Sequence, residues 1–132
     1  MYAPHAQYRD AATSTAGPAQ LVLMVFDALL ARVEAAEHAL TTGAADTQHV
    51  HTLLTGAQQL VHELTVSLDH DRGGDVAANL ASLYAWCTEQ LVEANVHKTA
   101  APLVGVARVV VGLREAWAVA CVAGAPEVPV AG

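Results

Sequence analysis

The chain has 132 residues, 54% of them hydrophobic, 14% charged and 5% aromatic, and its 13 acidic against six Lys and Arg side chains give a formal net charge of −7. That length suits one domain around one core, and the apolar content excludes a disordered chain. No apolar run approaches the roughly 18 residues of a membrane span, and the negative field disfavours a phosphate backbone, so neither stable membrane insertion nor nucleic-acid binding is expected.

Residues 1–16 read as a loose N-terminal arm. Met1 is followed by Tyr-Ala-Pro-His rather than a basic, apolar leader, so a cytoplasmic address is expected. Tyr2 and Tyr8 stand in this arm, where an aromatic ring stabilises the protein by docking on a surface. A first helix is predicted over 18–42. Pro18 fits the first turn, where its missing donor costs nothing, and Gly43 fits a C-terminal stop. A second helix follows the N-cap candidate Asp46 and runs over 47–68. Asp69 to Gly74 reads as a tight connection in which the glycines supply positive φ or close helix approach. A third helix is predicted over 75–95, with Asp75 in the first turn facing the positive end of the helix dipole. The fourth, over 100–122, has Thr99 as its cap and Pro102 in its first turn. The small, Pro-containing stretch 123–132 reads as a tail.

Four helices joined by short connections predict an all-α fold, an antiparallel up-down four-helix bundle spanning 17–122, with a loose N-terminal arm and a short C-terminal tail. The second helix has the cleanest pattern. Val50, Leu53, Leu54, Ala57, Leu60, Val61, Leu64 and Leu68 fall within an arc of about 120°, a single core face. The first helix, with Leu21, Val22, Met24, Val25, Phe26, Leu29, Leu30 and Val33, exceeds such a stripe. So does the fourth, whose apolar arc covers about 220° and is interrupted by Arg114. Excess apolar surface points to a partner, a covering segment or self-association, against the plainer reading that Val and Ala are tolerated outside.

The residues offer little chemistry. Cys87 and Cys121 should stand about 15 Å out of level on antiparallel helices, at 1.5 Å per residue, too far to bridge. They read as small buried thiols. Glu34 with His38 and Glu93 with His97 have i,i+4 spacing but lie on polar faces, and no Glu-x-x-His of a di-metal bundle is present. The acids around Gly73-Gly74 lack the twelfth-position ligand of a calcium loop, since Leu80 stands there. No phosphate-cradling glycine loop or activated nucleophile is evident. No enzyme, cofactor or metal is expected. Trp86 and Trp117 read as core packing rather than as ligand-stacking rings.

Three runs of residues carry a resemblance. The first is Tyr8, then Thr15-Ala-Gly-Pro18 and Leu21-x-x-Met24-x-Phe26-Asp27. The second is Leu64-x-x-Ser67-Leu68-Asp69, Gly73-Gly74-Asp75-x-Ala77-x-Asn79-Leu80, Leu83-Tyr84 and Leu91-x-x-Ala94-Asn95. The third is Leu113-Arg114-x-Ala116-Trp117. In order and spacing they resemble the flagellin-specific export chaperone family, FliS, over residues 8 to 117. The departures are local: Gly17 stands where Ser or Asn is usual, Phe26 for Tyr, Ala28 for Gly, Asp75 for Glu, and the fourth helix is rich in valine. The resemblance implies a small cytoplasmic chaperone that holds the C-terminal region of flagellin, prevents early polymerisation and helps deliver the client to the flagellar type III export gate. It also implies that the client lies in apolar grooves, with the N-terminal arm near that surface.

The helical phases nominate the client-binding residues. Val104 and Val111 lie on the outer edge of the fourth helix, and Val110 on its core side. Leu54, Val61 and Leu68 lie on one flank of the second helix, as a wall of the groove. Tyr8, by the resemblance, covers part of this surface in the free protein. Two other readings stand beside this one. A self-associating structural or adaptor protein would close its valine face in a homodimer. An enzyme would use Glu34, His38, Glu93 and His97 as metal ligands. The sequence leaves the preferred flagellin, the oligomeric state of the free chain and the residues at the export gate open.

Overall fold

A computed structural model describes residues 17–43 and 46–122 of the chain. The expected arm over 1–16, with Tyr2 and Tyr8, and the tail over 123–132 lie outside the described residues. Four helices follow in order: α1 (Pro18–Thr41), α2 (Thr47–Val66), α3 (His70–His97) and α4 (Ala101–Val122). Each packs on its two ring neighbours, α1 and α3 both lying between α2 and α4, and the α3–α4 seam is the loosest. Cross-links between opposite ends show neighbours to be antiparallel: Trp117 near the end of α4 bonds Ala19 at the start of α1, and Asn95 near the end of α3 bonds His51 at the start of α2. The described residues hold no strand beyond a single bridge position at Leu68.

Local chemistry explains most of the ends. Gly17 precedes Pro18 at the start of α1 and supplies no side-chain cap, while Gly43, at φ 73°, takes the left-handed conformation that ends the helix. Asp46 caps α2, its carboxylate accepting from the Gln48 N–H at 3.0 Å. Two expectations are corrected. Asp69–Gly74 is not a bare connection: Asp69 accepts from the Arg72 N–H at 3.1 Å, and a helical turn forms from His70. Gly74 (φ 51°, ψ −124°) then breaks the helix, and the main body of α3 runs on from Asp75. A Cβ is poorly tolerated in that backbone conformation, so the expected role for a glycine falls on Gly74. Thr99 does not cap α4, which starts at Ala101; its N–H donates to the Ala94 carbonyl at 3.1 Å. The stop of α3 is instead made by Lys98 in the left-handed conformation (φ 49°, ψ 51°). Its ammonium donates to the Asn95 carbonyl and to Asn95 Oδ1, both at 2.6 Å, which holds a non-glycine residue there.

The core is built from the predicted stripes. On α2, Val50, Leu54, Ala57, Leu60, Val61, Leu64 and, just beyond its end, Leu68 are buried. On α4 they are met by Leu103, Val106, Val110 and Trp117, and on α3 by Ala77, Tyr84, Cys87, Leu91 and Ala94. Helix α1 corrects the expectation of spare apolar surface. Val22, Leu23, Val25, Phe26, Leu29, Val33 and Ala36 are all buried, because the helix is wedged between α2 and α4 and both neighbours cover it. Both cysteines are free thiols, Cys87 buried and Cys121 half-buried.

Candidate functional site

Helix α4 divides its valines between two environments. Leu103, Val106 and Val110 point inward, with Val110 only 1% exposed, whereas Val104 is 47%, Val111 37% and Val119 69% exposed. Val104 and Val111 are seven residues apart, about 20° of rotation on an ideal helix, so they share one edge. Gly112 beside them opens onto free space. The predicted division between Val110 and its neighbour Val111 is what the structure shows.

The opposite edge of α4 faces α3, and the Trp86 ring of α3 reaches across to it. The Trp86 ring lies across Gly105, close enough that its Cη2 would stand 3.1 Å from a Cβ at that position. Trp86 stays 36% exposed, which corrects its assignment to the core. The absence of a side chain on Gly105 lets the ring lie over α4 rather than between helices. Trp117 does fill the core, and its indole N–H donates to the Ala19 carbonyl at 2.8 Å, tying the end of α4 to the start of α1. Further apolar surface stands on α3 at Val92 and Val96. Periodicity alone had not marked these residues, although the valine content of the third helix was visible in the sequence.

The α1–α4 seam beneath Val111 is closed by an ion pair. Arg114 Nε donates to Asp27 Oδ1 at 2.6 Å, and its Nη2 to Oδ2 at 3.4 Å. This contact with the Asp27 carboxylate, first through the hydrogen bond and then through its charge, raises the Arg114 pKa further above its ordinary value. Arg114, an interruption when the apolar arc is drawn on a wheel, is thus satisfied across the seam. Asp27 and Arg114 belong to two of the runs quoted above, Phe26-Asp27 and Leu113-Arg114, which is the signal that could have paired them.

Leu54 and Val61, nominated as a groove wall, are 0% and 1% exposed, and Leu68 is 8% exposed. Their expected outward placement is corrected. The flank of α2 on which they lie is covered by neighbouring helices, so they belong to the core. Tyr8 lies outside the described residues. Between α2 and α3 a shallow trough of about 560 Å³ is lined mainly by polar side chains, among them Gln58, Gln59, His62 and Thr88.

Titratable chemistry is sparse. Burial pushes the Cys87 thiol up to about 11, and burial together with the neighbouring Cys87 pushes the Tyr84 phenol up to about 12. Both are therefore neutral and unreactive near pH 7. Glu93 and His97 approach to 3.2 Å on the outside of α3 with side chains 57% and 60% exposed. Among the described residues no three His, Cys, Asp or Glu side chains are grouped so as to hold a metal ion. No helix among them is long and apolar enough to cross a membrane.

Comparison with known proteins accounts for this arrangement. The chain is 27% identical over 114 residues to the flagellar secretion chaperone FliS of Bacillus subtilis, a match covering 86% of this chain and 83% of the relative. It is 29% identical over 109 residues to the Salmonella typhimurium FliS, covering 82% and 79% of the two chains. It is also 29% identical over 108 residues to the Pseudomonas aeruginosa chaperone FliSB, covering 82% and 84%. Members of this family are chaperones and not enzymes. The family model for the flagellar protein FliS matches residues 1–124, and the chain belongs to that family.

Proposed function

We propose that this chain is a cytoplasmic chaperone that binds the C-terminal region of flagellin, prevents its premature polymerisation and supports its export through the flagellar type III apparatus. The observation that carries this reading is the outward apolar edge of α4, Val104 and Val111, on a bundle whose core is complete without it. A disordered client that laid an amphipathic helix on that edge would bury apolar surface on both partners and meet its ordering cost on contact. Such masking is an equilibrium process and needs no nucleotide. Tyr8 is proposed to cover part of the edge in the free protein and to move when client arrives. Leu54, Val61 and Leu68 are core residues and would meet a client directly only if the helices parted. A component of the export gate is proposed as a second partner.

Co-expression with flagellin and with a tail-deleted flagellin tests the reading. Full-length flagellin should co-purify in a stoichiometric complex and the tail-deleted form should not. Equal recovery of both would refute binding through the C-terminal region. The same exposed valines favour a second reading, self-association into a homodimer. The mass in solution, measured alone and with client, separates the two.

A further inference from the structure

Arg114 is the single charge in an otherwise apolar stripe. Val104, Ala107, Val111, Arg114 and Ala118 recur at i, i+3, i+7, i+10 and i+14 along α4, within an arc of about 80° at 100° per residue. Ala107 and Ala118 are half-buried against the core, whereas Val104 and Val111 stand out from it. Arg108 and Glu115 flank the stripe on its outer side, where both are exposed and keep their charges in water. Arg114 lies on the inner flank, against α1, with its side chain 39% exposed.

Asp27, on the neighbouring helix, decides where that guanidinium lies. Its carboxylate accepts from Nε at 2.6 Å and from Nη2 at 3.4 Å, which draws Arg114 across the seam onto α1. The shorter bond has the length of a charge-assisted one. Exposed pairs of this kind contribute little to the stability of a free domain, because water screens both charges. A polypeptide lying on Val104 and Val111 changes that balance, since it removes water from the inner flank as well. An arginine covered with its counter-ion in place stays compensated, whereas an arginine covered alone does not. Without Asp27 the long side chain would also be free to swing back along the helix beside Val111, one turn before it.

We propose that Asp27 is a positioning residue for the client edge of α4. It holds Arg114 against α1 and neutralises it, so that the stripe from Val104 to Ala118 can be covered by the apolar face of a polypeptide. This rests on the reading of that edge as the surface for the flagellin tail. No complementary charge is required of the client, because the one charge that it covers is already matched from within the chaperone.

The test uses the full chain and the C-terminal segment of its cognate flagellin, with affinity read by titration calorimetry and stability by thermal melts. Asp27→Asn should weaken binding by at least about tenfold, while the melting temperature of the free protein falls by no more than a few degrees. Arg114→Gln should weaken binding too, because it leaves the Asp27 carboxylate at the covered flank without its partner. The double variant, with two neutral amides, should recover to within about threefold of wild type. Glu93→Gln, which breaks the exposed pair with His97 outside α3, should leave affinity and melting temperature unchanged. Wild-type binding by Asp27→Asn overturns the assignment. So does a loss of affinity matched by lower stability of the free protein, which would make the pair a strut of the bundle only. A double variant as weak as the weaker single variant overturns it as well, since the client would then contact one of the charges itself. If the wild-type chain does not bind the segment, or Val111→Asp binds it as wild type does, the reading of the edge falls and takes this assignment with it. Normal wild-type binding with a loss at Val111→Asp confines any failure to Asp27 and Arg114.

Discussion

Adjacent valines on α4 provide the sharpest test of the functional surface. Val110 is 1% exposed and Val111 is 37% exposed, so the same substitution to Asp asks opposite questions of them. At Val110 the change forfeits about 1.5–3 kcal/mol of side-chain burial. It also places a carboxylate among Leu103, Val106 and Trp117 with no partner, a desolvation cost of several kcal/mol more. Against a total stability of about 5–15 kcal/mol for a domain, Val110→Asp should leave the bundle largely unfolded. At Val111 the side chain is already partly in water, and Asp and Val have similar helix propensities. Arg108 and Arg114, three residues either side, partly offset the like charge of Glu115. The free protein should lose about 1 kcal/mol or less, a fall of a few degrees in melting temperature. With client seated on the edge, the new carboxylate would be covered without a partner, so affinity for the flagellin tail should drop by at least about tenfold, or 1.4 kcal/mol. Circular dichroism, thermal melts and titration calorimetry on both variants separate the cases. If Val111→Asp binds as wild type does, or unfolds, the edge is not the client surface. Family membership does not depend on the outcome.

Four further outcomes follow from the same geometry. Gly74→Val should cost about 1–3 kcal/mol in denaturant melts, because a β-branched residue cannot adopt φ 51°, ψ −124° without strain; an unchanged midpoint would refute this account of the turn. Trp117→Phe keeps the ring but leaves the Ala19 carbonyl without its indole donor, and should cost about 1 kcal/mol; hydrogen exchange at the start of α1 should rise with it, and unchanged exchange would count against the tie. The raised values of Cys87 and Tyr84 mean that above about pH 9 the unfolded chain releases protons that the folded chain keeps, so stability should fall as pH rises toward about 11 and 12. Tyr84→Phe with Cys87→Ala should flatten that alkaline limb, and an unaltered slope would refute the cause. A thiol reagent at neutral pH should modify half-buried Cys121 before Cys87, with Cys87 protected until the bundle opens; the reverse order would contradict the packing.

The number, type and approximate bounds of the helices follow from features local to the sequence. An N-cap at Asp46, a proline at the start of α1 and a glycine stop at Gly43 act within a turn of their own position, and the single apolar stripe of α2 needs only a 3.6-residue repeat to be seen. Bonds between segments followed less directly. The resemblance brought Asp27 and Arg114 into view as parts of one pattern, but their 2.6 Å contact exists because α1 and α4 are ring neighbours running antiparallel. Exposure was decided by tertiary packing alone. A helical wheel gives the direction of a side chain and says nothing of how many helices stand in that direction. Leu54 and Val61 lie on the margin of the α2 stripe, yet neighbours seal them; the excess apolar surface of α1 vanished because two helices cover it; that of α4 persists at Val104 and Val111 because nothing among the described residues covers that edge. The two tryptophans make the point at single-residue scale. Trp117 is buried with its indole N–H satisfied across the bundle, whereas Trp86 rests on Gly105 at the loosest seam and stays in contact with water, a difference set by which helix lies opposite each ring.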